Sequence, residues 1–180
     1  MDYIQNLYGY SDYQMAQLKF SFLTIASELS KTIIMGILFK RHILLFLYCL
    51  IVFQLIRSST GGLHCKRYIS CLVVSCIFMS LCIYVLPLIP LHNCTQLSLL
   101  LACTIITYII GPLTSKLHIE LDSKAIHNNR KRGAFIILLY SICVFVFANN
   151  TYITCGFWII VLNTLQLIIS KIAKEVSKNA

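Results

Sequence analysis

The apolar residues of this chain fall in blocks long enough to cross a lipid bilayer, and this patterning excludes most folds. A helix crosses the hydrocarbon core, about 30 Å thick, with about 20 residues. Residues 68–89 supply such a block without one charged side chain, and further runs cover 20–39, 43–56, 96–110, 134–148 and 153–170. Of the 180 residues 58% are hydrophobic and 12% charged, against about 45–50% and about 25% in a soluble domain. A water-soluble enzyme, a disordered chain and a free coiled coil are excluded. The expected fold class is all-α, a polytopic helical membrane protein forming a single integral membrane domain over 1–180. It has about six hydrophobic segments, four to six of them true spans.

Residues 1–19 are polar and aromatic, with Tyr3, Tyr8, Tyr10 and Tyr13 suited to the headgroup layer. They carry acids rather than a basic leader, so no cleavable signal peptide is expected. Residues 20–56 hold the first two apolar helices. Glu28 and Lys31 interrupt the first on one helical face, where they can pair. This helix is either a crossing with a polar stripe or an interfacial helix. The run 43–56 measures only about 21 Å, so it spans if His42 and Arg57 snorkel or the bilayer thins. Pro87 and Pro90 close the third run, and Gly111-Pro112 closes the fourth.

Fifteen Lys and Arg against six Asp and Glu leave a net charge of +9. The basic residues lie between apolar blocks, where topology and anionic headgroups account for them, so no nucleic-acid partner is expected. Arg57, Lys66 and Arg67 fall in 57–67. Lys116, Lys124, Arg130, Lys131 and Arg132 fall in a basic loop, 112–132, and Lys171, Lys174 and Lys178 in the basic tail 171–180. Pairs of runs separate these regions, whereas the turns at 90–95 and 149–152 carry no Lys or Arg. The basic regions are therefore expected on one face, the cytoplasmic one. Lys40 and Arg41 fit poorly, which keeps alive a four-span arrangement with 20–56 interfacial or re-entrant. Most of the nine cysteines lie inside apolar runs and their number is odd, so they read as small hydrophobes rather than as a disulfide framework.

The stretch 57–71, R-S-S-T-G-G-L-H-C-K-R-Y-I-S-C, concentrates reactive side chains at the mouth of the third run. Ser58 to Gly62 read as a flexible break between helices. His64 and Cys71 are seven residues apart, about 10.5 Å along a continuous helix. They meet more readily if the helix starts after His64 and the loop folds the imidazole back. A thiol is mostly protonated at neutral pH, and an imidazole with cationic neighbours favours the nucleophilic thiolate. Arg57, Lys66 and Arg67 provide that field at interfacial depth. Cys65 adjoins His64 but points about 100° away from it on a helix, so Cys71 is the better nucleophile. A zinc site from His64, Cys65 and Cys71 lacks a fourth ligand.

The pattern R-x3-GG-x-H-x6-C, on Arg57, Gly61, Gly62, His64 and Cys71, resembles the accessory gene regulator protein B (AgrB) family of bacterial quorum-sensing peptidases. Chain length, an amphipathic beginning, several spans and a basic loop entered through Pro112 agree with it. Cys65 departs from the pattern, since members often carry a small residue there. The resemblance implies a multi-pass protein of the bacterial cell membrane, with its catalytic loop cytoplasmic and no cofactor. It implies a cysteine endopeptidase acting on an AgrD-like propeptide, with Cys71 as nucleophile and His64 as general base and then acid. Arg57, Gly61 and Gly62 would support the loop, and the acyl-enzyme thioester would close a thiolactone or lactone ring.

No third catalytic residue stands out; Glu28, Glu120 and Asp122 are candidate orienters. Lys124, Arg130, Lys131 and Arg132 would either fix topology or attract an acidic propeptide tail. The oligomeric state stays open, a homodimer included. The rival reading, a small transporter or accessory membrane subunit, calls for ionisable residues along a mid-membrane path. Beyond Glu28 and Lys31 the runs offer none, and no internal repeat points to a transporter.

Overall fold

The computed structural model describes residues 12–61, 68–112, 123–147 and 150–179, and these are helical apart from short connections. Within these residues six α-helices follow one another: α1 (Asp12–Leu38), α2 (Ile43–Thr60), α3 (Tyr68–Ser80), α4 (Asn93–Ile110), α5 (Ser123–Val146) and α6 (Thr151–Asn179). Among the described residues four stretches are long and apolar enough to cross a membrane: Lys40–Thr60, Tyr68–Leu88, Asn93–Ile110 and Thr151–Val176. Arg130, Lys131 and Arg132 lie inside α5, leaving its apolar part, 133–146, at about 21 Å.

The chain divides into two compact units, Met1–Arg41 and His42–Ala180. In the first, the expected pair forms: Lys31 Nζ lies 2.9 Å from Glu28 Oε1, one turn back, with the lysine buried.

The second unit is a helical bundle. Its most extensive pairing is α4 with α5, followed by α2 with α6 and α4 with α6. Side-chain contacts fix the directions. Tyr48 meets Tyr140, and Gly133 abuts Ser59 and Thr60, so α5 runs antiparallel to α2. Tyr48 also stacks edge-on against Tyr152, while Thr60 meets Asn163, so α6 runs parallel to α2. The Phe53 and Phe78 rings lie 5.1 Å apart, and His42 meets Tyr84 at 5.8 Å, so α3 runs antiparallel to α2. Between these contacts the interior is apolar, with Phe46, Ile56, Leu100, Ile137, Val144, Phe157 and Ile160 excluded from solvent. Many outward-facing Leu, Ile, Val and Phe side chains are exposed in the isolated chain, as a lipid-facing surface requires.

Helix α3 continues through a π turn, Leu81–Val85, and a 3-10 turn, Leu86–Leu88. Proline lacks an N–H and its ring collides with the carbonyl one α-turn earlier, here that of Ile83. A wider turn moves that carbonyl away, and the Leu86 N–H reaches back to the Leu81 carbonyl. This bent end packs against α6, and the Phe53–Phe78 contact joins Tyr68–Ser80 to α2.

Candidate functional site

The run read as ending at Ile56 stays helical to Thr60. Ser58 to Thr60 are therefore the last turn of α2, not part of a flexible break. Their hydroxyls fold back on the helix: Ser58 Oγ donates to the Leu55 carbonyl at 2.8 Å, and Thr60 Oγ1 reaches the Ile56 carbonyl at 3.1 Å. Gly61 ends the helix, its N–H bonded to the Arg57 carbonyl at 2.9 Å. Its φ of 71° and ψ of −166° lie in a region kept essentially for glycine.

Arg57, half-buried, turns back along α2 so that its guanidinium carbon lies 5.3 Å from the centre of the Phe53 ring. The same Phe53 meets Phe78 of α3. From that aromatic pair, Thr60 lies seven residues on along α2 and Cys71 seven residues back along α3, each about 10.5 Å toward the same end of the bundle. Cys71 is buried, 7% exposed, on α3. Arg57, Gly61 and Cys71 thus share one end of the α2–α3 pair. Gly62, His64 and Cys65 lie outside the described residues, as do Lys66 and Arg67. All eight described cysteines are free thiols.

The segment read as a basic loop, 112–132, is helical from Ser123. Lys124, Lys131 and Arg132 are exposed on the first turns of α5. Arg130 is half-buried, and its Nε donates to the Gly111 carbonyl, tying α5 to the end of α4. Its guanidinium is thus engaged within the fold. Glu120 and Asp122 lie outside the described residues, and Glu28 pairs with Lys31 in the first unit.

Sequence reasoning missed a buried layer of small polar residues at this end. Ser59 and Thr60 of α2, Thr107 of α4, and Asn163 and Thr164 of α6 are all nearly inaccessible. Asn163 Nδ2 donates to Thr60 Oγ1 at 3.3 Å. Gly133 lets α5 approach closely, since a Cβ there would lie 3.2 Å from Thr107 Cγ2 and 3.4 Å from Ser59 Cβ. The signals were present: an amide within the apolar run 153–170, and a glycine at the junction of basic and apolar segments of α5.

The family model for Accessory gene regulator B matches residues 1–168. The chain belongs to the AgrB family. A curated AgrB-like protein of Clostridium beijerinckii is 31% identical over 99 residues, which is 53% of this chain and 50% of that protein. The chain thus spans about half the length of that curated relative. No solved structure matches. Membership of the AgrB family and four helices of membrane-crossing length and composition agree on a membrane protein.

Proposed function

We propose that this AgrB-family chain is a membrane-embedded cysteine endopeptidase that removes the C-terminal tail of an AgrD-type signal propeptide. The observation that carries the reading is the placement of Cys71, buried on α3 at the end of the bundle that also holds Arg57 and Gly61. A thiol there meets a peptide entering from the interface, while the apolar bundle behind it limits water.

In the proposed reaction His64 takes the Cys71 proton, and the sulfur attacks the carbonyl at the junction between signal and tail. The C–N bond breaks, and the same imidazole returns the proton to the departing tail amine. The product is a thioester between Cys71 and the N-terminal fragment. A Cys or Ser within that fragment then attacks the thioester, closing a thiolactone or lactone and regenerating the Cys71 thiol. Thioester-to-thioester exchange is nearly balanced in energy, so release of the tail and exclusion of water favour the ring. Arg57 shapes the loop or pairs with a substrate carboxylate, and the Gly61-Gly62 pair lets the peptide backbone approach. Lys124, Lys131 and Arg132 attract an acidic tail from the cytoplasmic side.

The test is mass spectrometry of a matching synthetic propeptide incubated with the reconstituted protein. Loss of tail release in Cys71→Ala and His64→Ala, with Cys65→Ala active, is the expected result. An N-terminal product lighter by one water than the linear fragment identifies ring closure. Tail release by Cys71→Ala at the wild-type rate would overturn the assignment.

A further inference from the structure

We propose that Asn163 is a positioning residue for the reaction at Cys71, acting through the Thr60 hydroxyl on the turn at Gly61. The inference rests on the reading of Cys71 as nucleophile.

Asn163 sits within the most apolar part of α6, 4% exposed, and Thr60 is 1% exposed. A carboxamide is expensive to bury in such surroundings unless it is bonded. Its Nδ2 donates to Thr60 Oγ1, linking residues 103 positions apart. The Thr60 oxygen accepts that bond, and its single hydrogen is shared between the Ile56 and Gly61 carbonyls, each 3.1 Å away. The Gly61 carbonyl belongs to the peptide unit joining Gly61 to Gly62, the first step of the segment that carries His64. One chain of bonds therefore runs from α6, through the last turn of α2, to the backbone that enters the reactive loop.

The surroundings make this link directional. Gly133 presses α5 against Ser59 and Thr60, so the end of α2 has no room to retreat from α6. Packing alone would hold the two helices together at this point. It would not fix the rotation of the Thr60 hydroxyl, nor the carbonyl that hydroxyl holds. Thr60 lies as far from the Phe53–Phe78 pair as Cys71 does, toward the same end. Small displacements there enter directly into the geometry of attack, where misplacement by about 1 Å can cost about 100-fold in rate.

The experiment follows tail release from a synthetic AgrD-type propeptide by the full chain in vesicles, separating kcat from KM. Asn163→Leu and Thr60→Val each lower kcat about tenfold or more, with KM within about twofold of wild type. Thr60→Ser, which keeps the hydroxyl, retains wild-type kcat. Asn163→Leu combined with Thr60→Val is no worse than the more impaired single variant, because both cut one chain. Wild-type kcat in Asn163→Leu, multiplication of the two losses in the double variant, or equal impairment in Thr60→Ser and Thr60→Val would each overturn the proposal. Should Asn163→Leu fail to assemble, the Thr60→Val and Thr60→Ser pair decides alone. An inactive Cys71→Ala beside a fully active Asn163→Leu sinks only the positioning role, whereas an active Cys71→Ala sinks the nucleophile assignment.

Discussion

The hydroxyl of Tyr48 donates to that of Tyr140, 3.1 Å away, because Tyr140 commits its own hydrogen to the Ile153 carbonyl at 2.8 Å. Helices α2, α5 and α6 are joined at this point. Gly156 makes room for it, since a Cβ at that position would collide with the Tyr140 ring and hydroxyl. Gly156→Ala is expected to destabilise the bundle by about 1–3 kcal/mol, and Tyr140→Phe by about 1 kcal/mol. The two effects are non-additive, because removing the hydroxyl relieves part of the collision. Thermal unfolding in detergent of the two single variants and the double variant checks this.

At the opposite end, a Cβ at Gly133 would require the Thr107 methyl to give way by a few tenths of an ångström. Gly133→Ala is therefore tolerated at a small loss of stability. Gly133→Leu wedges α5 away from α2 and α4, at about 1–3 kcal/mol. Because the wedge acts on the turn before Gly61, tail release falls more steeply than stability. Unfolding and processing measured on the same preparations give the comparison.

Gly61→Ala places a Cβ where φ is 71° and ψ −166°, a conformation costing about 1–3 kcal/mol for an L-residue. The turn relaxes toward an ordinary conformation and the chain leaves α2 in a new direction. Processing is expected to drop at least about tenfold, while the α-helical circular dichroism signal keeps its magnitude.

Among the basic residues of α5, Arg130 differs from its neighbours. Arg130→Ala removes the bond to the Gly111 carbonyl and is expected to lower the unfolding temperature. Lys124→Ala, Lys131→Ala and Arg132→Ala leave stability unchanged and raise KM for an acidic propeptide. That increase fades at high salt, where exposed charges are screened. KM measured at two ionic strengths separates the two kinds of residue.

Cys94 is exposed in the first turn of α4, near the end of α3 remote from Cys71. With the motif on the cytoplasmic side, a membrane-impermeant maleimide added to intact cells labels Cys94 and leaves Cys71 untouched. Labelling of Cys94 only after the membrane is permeabilised would reverse the orientation.

The helices were legible where one physical signal dominated. Pro87 and Pro90 marked the end of the third run, and the chain leaves helical conformation after Leu88. The spacing of Glu28 and Lys31 predicted their pairing. The end of α2 was misread because Arg57 and three hydroxyl residues look like a loop in one dimension. In space the guanidinium lies over Phe53, and two of the hydroxyls bond back to the helix. The start of α5 was misread for a related reason, since a polar stretch is helical when a long apolar helix continues from it. Arg57, Gly61 and Cys71, singled out by their pattern, lie toward one end of the α2–α3 pair. Thr60 and Asn163 carry no local signal of their partnership, because 103 residues lie between them.

The bent end of α3 has a geometric consequence. The π turn at Leu81–Val85 sets the angle at which α3 leaves its contact with α6, and the Phe53–Phe78 rings hold it beside α2. Cys71 lies ten residues before Leu81, about 15 Å along the helix axis. An angle set at the π turn is therefore magnified into the position of the thiol, so Pro87 helps to aim a side chain more than about four turns away.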